Sequence, residues 1–187
     1  MTSAPTIRSK ATPNLILGPY YPVRAAVDAD HRLWRGPPPG AGARRLRVQG
    51  RVLSVAGLAV SGADVELWHA DPAGRYPHPS AAGHGQVLPG FVGYGRVRSD
   101  AEGGFAFESL APGAYAGPDG TRATHLHFQI TGSFDRVVTQ VFLPDDPARE
   151  SDHWYRAASR REMLLARVVH DEPEALHLEW TAVLIRG

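Results

Sequence analysis

The chain has 187 residues, 43% of them hydrophobic and 21% charged, with 20 glycines, 16 prolines and no cysteine. That length suits one domain with its own core, the composition excludes a disordered chain, and the Gly and Pro content favours short strands and many turns over long helices. A net charge of +1 removes any general pull towards nucleic acid or an anionic membrane, while the lack of cysteine excludes disulfides, thiolate metal sites and a cysteine nucleophile.

Residues 1–20 hold no long apolar run, and no stretch approaches the ~18 apolar residues of a membrane span, so neither signal peptide nor span is expected and the location reads as cytoplasmic. Residues 1–44 are mixed and proline-rich, closing on Gly36-Pro37-Pro38-Pro39-Gly40. That text suits neither helix nor central strand and reads as an arm over a domain of residues 45–187. From Arg45, the alternation of Leu46, Val48, Gly50 and Val52 with other residues has the period of a half-buried strand, and Ala63–Trp68 repeats it. Residues 70–93, rich in Gly, Pro, His and Ala, form a long aperiodic loop of the kind that carries function. Strands are expected at Gly95–Ser99 and Phe105–Glu108, then, after a second loop over Pro112–Thr124, at Leu126–Ile130, Val137–Leu143, Leu164–Val169 and Leu176–Ile185, with a short helix within Ser151–Arg161. This spacing predicts an all-β antiparallel sandwich with two long loops.

His125-Leu126-His127 is the first chemical pointer. In a strand, His125, His127 and Gln129 share one face and Leu126, Phe128 and Ile130 the other, so two imidazoles stand side by side opposite a core-facing row. Such a pair suits a shared metal ion, but the same alternation describes two solvated histidines. No carboxylate adjoins them, which disfavours a two-histidine, one-carboxylate ferrous site. The long loops instead carry Tyr76 and Tyr115. A phenol ionises at neutral pH only beside a strong cation, and ferric iron favours that hard anionic oxygen.

Gly74-Arg75-Tyr76, Pro112-Gly113-x-Tyr115, Arg122-x-x-His125-x-His127 and Thr139-Gln140 resemble, in order, the signature of the intradiol ring-cleavage dioxygenases. Leu67-Trp68-His69-Ala70-Asp71, Gly93-Tyr94-Gly95-Arg96, Arg160-Arg161-Glu162 and Thr12-Pro13 with Gly18-Pro19-Tyr20-Tyr21 extend the likeness over nearly the whole chain. The resemblance implies one non-haem Fe(III) per chain held by Tyr76, Tyr115, His125 and His127, and cleavage of a catechol with O2 to a muconate-type diacid. It further implies Tyr115 as a proton acceptor, Arg122 and Gln140 at the reacting ring, and Gly18, Pro19, Tyr20, Arg122 and Gln140 as the substrate contacts. Beyond catechol and O2 it implies no nucleic-acid or membrane partner, and it leaves assembly into a homo-oligomer open. Protocatechuate-cleaving members usually read Tyr-Pro-Trp after the second tyrosine and Trp-Arg-Pro-Ala before the histidines. Here the text is Tyr115-Ala116-Gly117-Pro118 and Thr121-Arg122-Ala123-Thr124. Losing both tryptophans reshapes that wall, and bulkier catechols than protocatechuate are expected to fit. His78 and His84 are read as loop residues, and Trp34, Trp68, Trp154 and Trp180 as core or interface. Residues 50–76 and 99–115, taken without the histidines, also resemble transthyretin-like sandwich modules that bind or space without a redox metal. A zinc hydrolase built on the two histidines is a further alternative.

Overall fold

The computed structural model describes residues 10–23, 29–37, 40 and 42–186, with 82–84 described by backbone alone. Pro38 and Pro39 of the expected arm and the side chain of His84 therefore lie outside the described residues. The strands are β1 (Arg45–Ser54), β2 (Asp64–Trp68), β3 (Tyr94–Arg98), β4 (Gly104–Leu110), β5 (Tyr115–Gly117), β6 (Gly120–Arg122), β7 (His125–Thr131), β8 (Arg136–Phe142), β9 (Arg167–Glu172) and β10 (Ala175–Leu184). One short helix, α1 (His153–Ala157), stands between 3₁₀ turns at Pro147–Ser151 and Arg161–Leu164. Among the described residues, no helix is long and apolar enough to cross a membrane.

Alternation decides which faces meet. Strands β4, β1, β10 and β9 form one sheet in that order, and β3, β2, β7 and β8 the other. Leu46, Val48, Val52, Phe105, Phe107, Leu178 and Trp180 of the first sheet pack in a single core with Val65, Leu67, Leu126, Phe128, Ile130 and Val141 of the second. Phe128 stacks on Trp180 across it with ring centroids 4.9 Å apart. This is the expected β-sandwich, with one pairing reversed: β1 and β10 run parallel, Arg45 opposite Ala175 through Ser54 opposite Leu184. Alternation specifies a strand's faces but not its direction, and no hairpin joins these first and last strands of the sandwich to each other. Their contact is close enough that a side chain on Gly50 would stand 1.9 Å from the Trp180 carbonyl oxygen.

Two stretches differ from the sequence reading. Leu164, expected to open a strand, ends a 3₁₀ turn and is buried in a side cluster with Ala123, Phe142 and Tyr155, and the strand itself begins at Arg167. Residues 112–124, expected as plain loop, contain the β5–β6 hairpin, in which Tyr115 pairs directly with Arg122. A Pro118-Asp119 turn followed by Gly120 at φ 114° permits that tight reversal.

The described N-terminal segments run along the sandwich edges. Thr12 exchanges hydrogen bonds with Val183 of β10, and Leu15 donates to Val138 of β8. Beyond residue 29, Arg96 of β3 donates to the Asp30 carbonyl, while Leu33 and Glu108 of β4 are joined through backbone bonds to and from residues 31–33. Between these anchorages, residues 18–21 lie over the outer face of the second sheet, at the β7 histidines.

Candidate metal centre

The histidine strand places its two faces as the alternation required. Leu126, Phe128 and Ile130 enter the core, while His125 and His127 point to the opposite face, each only 2% exposed. Burial rules out a solvated pair. The His125 Nδ1 donates to the Ala123 carbonyl at 2.6 Å, which leaves its Nε2 as a free lone pair. That atom lies 3.1 Å from His127 Nε2. Two nitrogens each about 2.1 Å from a shared ion, at a right angle, would stand about 3 Å apart. His127 is sandwiched as well: Trp68 stacks on its ring at 5.0 Å and 11°, and a side chain on Gly18 would meet its Cε1 at 3.2 Å. Gly18 takes φ 78°, a conformation glycine adopts freely, so the arm approaches the ring through backbone alone.

The two tyrosines arrive on loops that interlock. Asp71 is fully buried and accepts from the backbone N–H of Ala73, Arg75 and Leu88 while pairing with the Arg75 guanidinium, which folds the first loop back on itself. Gly113 of the second loop donates to the Asp71 carbonyl at 2.9 Å. Any side chain on Gly113 would lie 2.3 Å from the Pro72 carbonyl oxygen, and one on Gly74 would lie 2.4 Å from that of Ala114. Two glycines thus let the loops cross at contact distance and deliver Tyr76 and Tyr115 together, ring centroids 5.6 Å apart. Tyr76 lies 6.3 Å from the His127 ring and Tyr115 lies 5.8 Å from that of His125.

The donor set fits a highly charged cation. Burial, reinforced by the Tyr115 phenol, pushes the Tyr76 hydroxyl well above its usual range, and that hydroxyl finds no hydrogen-bond partner of good geometry among the described residues. Burial also raises Tyr115, against the opposing charge of Arg122. Burial, then the Arg122 charge, lowers His125 to about 3, and burial lowers His127 well below its ordinary value. All four groups are therefore neutral at pH 7, with a phenol unpartnered among the described residues and two imidazole Nε2 atoms converging. Among the described residues, no set of three His, Asp or Glu side chains could hold a metal, so phenols are what could complete this one.

Arg122 is 7% exposed rather than a loop cation in solvent, and each of its three guanidinium nitrogens has a separate target. Nε donates to Asp152 at 2.8 Å, Nη2 to the Gln140 side-chain oxygen at 2.5 Å, and Nη1 reaches the Tyr115 hydroxyl at 3.4 Å. Gln140 sits on β8 directly opposite His127, and its amide nitrogen is buried without a partner among the described residues. Sequence reasoning missed Asp152. This fully buried carboxylate also accepts from the backbone N–H of Ala123, Trp154 and Tyr155, capping α1 while anchoring the arginine. The available signal was an Asp at the head of a predicted short helix. Tyr20 stacks on Tyr76 at 4.4 Å, and Pro19 lies exposed in the turn before it. His78 is spent locally, its Nδ1 accepting from Ser80 N–H.

Comparison with known proteins gives the family. Residues 16–185 match the Dioxygenase family model. The chain is 36% identical over 173 residues to the beta chain of protocatechuate 3,4-dioxygenase from Burkholderia cepacia, covering 84% of this chain and 72% of that one. It is 32% identical over 152 residues to catechol 1,2-dioxygenase 2 of Acinetobacter lwoffii, spanning 73% of this chain but only 52% of the relative. The fold is shared with the dioxygenase domain of a carbohydrate-binding fusion protein from Streptomyces sp. SirexAA-E (TM-score 0.74, 24% identity, 95% of this chain and 100% of that one). It is shared too with catechol 1,2-dioxygenase from Acinetobacter radioresistens (TM-score 0.76, 22% identity, 96% and 64%). A transthyretin-like spacer has no use for two buried imidazoles set against two buried phenols. The chain that folds this centre into its sandwich belongs to the intradiol ring-cleavage dioxygenases.

Proposed function

We propose that the protein cleaves a catechol between its two hydroxyl-bearing carbons, using O2, at one Fe(III) held by Tyr76, Tyr115, His125 and His127. The observation that carries the reading is the pair of buried Nε2 atoms 3.1 Å apart, beside a buried Tyr76 hydroxyl that has no hydrogen-bond partner among the described residues. When bound, ferric iron would ionise the phenols and turn a chelated catecholate into a reductant for O2.

The chain's own residues supply the rest. His125 and His127 offer neutral nitrogen donors, and two phenolates with one hydroxide balance a +3 ion, so a buried site carries no net charge. A catechol must lose two protons to chelate. Tyr115, less buried than Tyr76 and set beside Arg122, accepts one at its hydroxyl oxygen. Arg122, immobilised by Asp152 and Gln140, presents fixed positive charge where the ring carbon becomes electron-rich. The amide N–H of Gln140, unpaired among the described residues, is a buried donor for a substrate oxygen. Gly18 and Tyr20 form the arm side of the pocket and exclude water from the rings beneath, with Pro19 setting the turn between them. Ala116 and Gly117 stand where protocatechuate-cleaving members carry bulk, which favours catechols larger than protocatechuate.

The test is the visible spectrum and iron content of the purified protein, before and after anaerobic addition of a catechol. A red-brown protein near one iron per chain whose colour shifts with catechol is expected, followed by oxygen uptake across a substrate panel. A protein that stays colourless after ferric reconstitution would overturn the assignment, and protocatechuate turned over best by far would overturn the substrate preference.

A further inference from the structure

The candidate centre leaves one buried carboxylate unused. Glu66 points outward from β2, on the same face as His127, and is 8% exposed. Its Oε2 accepts from the Tyr21 hydroxyl at 2.6 Å and the Tyr94 hydroxyl at 2.8 Å, and its Oε1 accepts from the Gln129 amide at 2.9 Å. Arg96, directly opposite on β3, pairs with Asp64 instead. An anion buried on neutral donors is costly unless those donors are held in place, and each here is. Tyr94 belongs to β3 and Gln129 to β7, so both are fixed by the sheet. Tyr21 belongs to the arm, and its bond to Glu66 ties to that sheet the stretch lying between the anchorages at Leu15 on β8 and Asp30 on β3. Burial, with the carboxylate beside it, raises the Tyr21 phenol to about 12, so it stays a donor across the physiological range.

The residues around Tyr21 are those that reach the centre. Its ring stands edge-on to Trp68 at 5.0 Å, and Trp68 stacks on His127. Tyr20 stacks on Tyr76, and Tyr20 and Pro22 wall a cavity of about 140 Å³ against Tyr76, His78 and Tyr94. We propose that Glu66 is a positioning residue which, through the Tyr21 hydroxyl, fixes the arm with Gly18 on His127 and Tyr20 on Tyr76, and so sets the substrate-side wall of the centre. Its consequence for catalysis rests on the dioxygenase reading, whereas the clamp itself does not.

The chain has no cysteine, so Val23→Cys, at an exposed position just past the clamp, accepts a single nitroxide label whose mobility reports the arm in metal-free protein. Tyr21→Phe removes only the bridging hydroxyl and should raise the mobile fraction about tenfold, the effect of one lost bond to a buried charge. Tyr94→Phe removes an equal bond to the same carboxylate from within the sheet and should leave the label unmoved. Adding Tyr21→Phe to Glu66→Ala should mobilise the label no further than Glu66→Ala alone. In the iron-loaded enzyme, Tyr21→Phe should raise KM for catechol several-fold with kcat nearly constant. A Tyr21→Phe label as immobile as the parent, or equal release by Tyr94→Phe, overturns the clamp. If the label responds as expected and the parent enzyme cleaves no catechol, the dioxygenase reading fails and the clamp stands.

Discussion

At the residue scale, the centre is a set of neutral groups kept neutral by burial, with one cation held on a carboxylate. Asp152→Asn tests the second part. Asn caps a helix about as well as Asp, so α1 should persist, while the negative partner of Arg122 is lost. Turnover should fall by about a hundredfold, the scale on which a misdirected transition-state donor is felt, with iron content unchanged. Steady-state kinetics with metal analysis checks both, and unchanged turnover would show that Gln140 alone orients the arginine. A different buried group adds to the acid sensitivity that His125 and His127 confer. His69, fully buried, donates from Nδ1 to the Ala70 carbonyl and accepts from Ser109 at Nε2. Burial lowers its pKa from 6.5 to about 4. The unfolded chain therefore takes up the proton first, so stability is unaffected above about pH 6.5 and falls as the pH drops towards 4. At pH 5, this amounts to about 2 kcal/mol. Urea midpoints of metal-free protein at pH 7 and 5 should show the drop, and His69→Asn should remove most of that part of it.

At the element scale, the decisive feature is the crossing of the two tyrosine loops. Gly113→Ala would force a methyl group against the Pro72 carbonyl, with no side chain there to give way. It should cost about 1–3 kcal/mol and weaken the tyrosinate colour of iron-loaded protein, read by thermal denaturation and visible absorption. Full stability with full colour would mean that the loops can shift apart without losing the centre. These elements also show what sequence can carry. The period of two placed His125 and His127 on one face and three core residues on the other, and Gln140 on the next strand. Nothing in that period reveals which way β10 runs beside β1, since either direction buries the same Leu178 and Trp180. Nor does it reveal Asp152 beneath Arg122 or Glu66 beneath Tyr21, because each pairing joins residues 30 or more apart in the chain through side chains alone. Tyr76 and Tyr115 were legible as candidates, but their convergence depends on Asp71, whose carbonyl and carboxylate hold both loops.

At the scale of the whole molecule, the proposed metal binding would be coupled to folding. The four proposed ligands come from two loops and a strand that meet only in the folded chain, so ferric iron should bind the native state alone. At free iron a hundred times its dissociation constant, the gain is about 2.7 kcal/mol, visible as a higher melting temperature that a chelator reverses. Identical melting with and without iron would mean that the two loops do not close on a metal. The sheet edges are managed in two ways. The N-terminal segments cover those of β8, β3 and β4, and extend the first sheet past the end of β9 at Val183. Among the described residues, no backbone pairing covers the outer edge of β9, where Arg167, His170, Asp171 and Glu172 are exposed charges or polar groups that discourage strand addition.

The segment bearing Gly18 and Tyr20 also imposes an order of assembly. It precedes every strand of the sandwich in the chain, yet Thr12 docks on Val183, a partner 171 positions later. Contacts of such separation form late, after the local pairings of the sandwich. Tyr76, Tyr115, His125 and His127 can therefore gather while the face above them is still open. An incoming ion would have a wider route to them before the arm docks than after it.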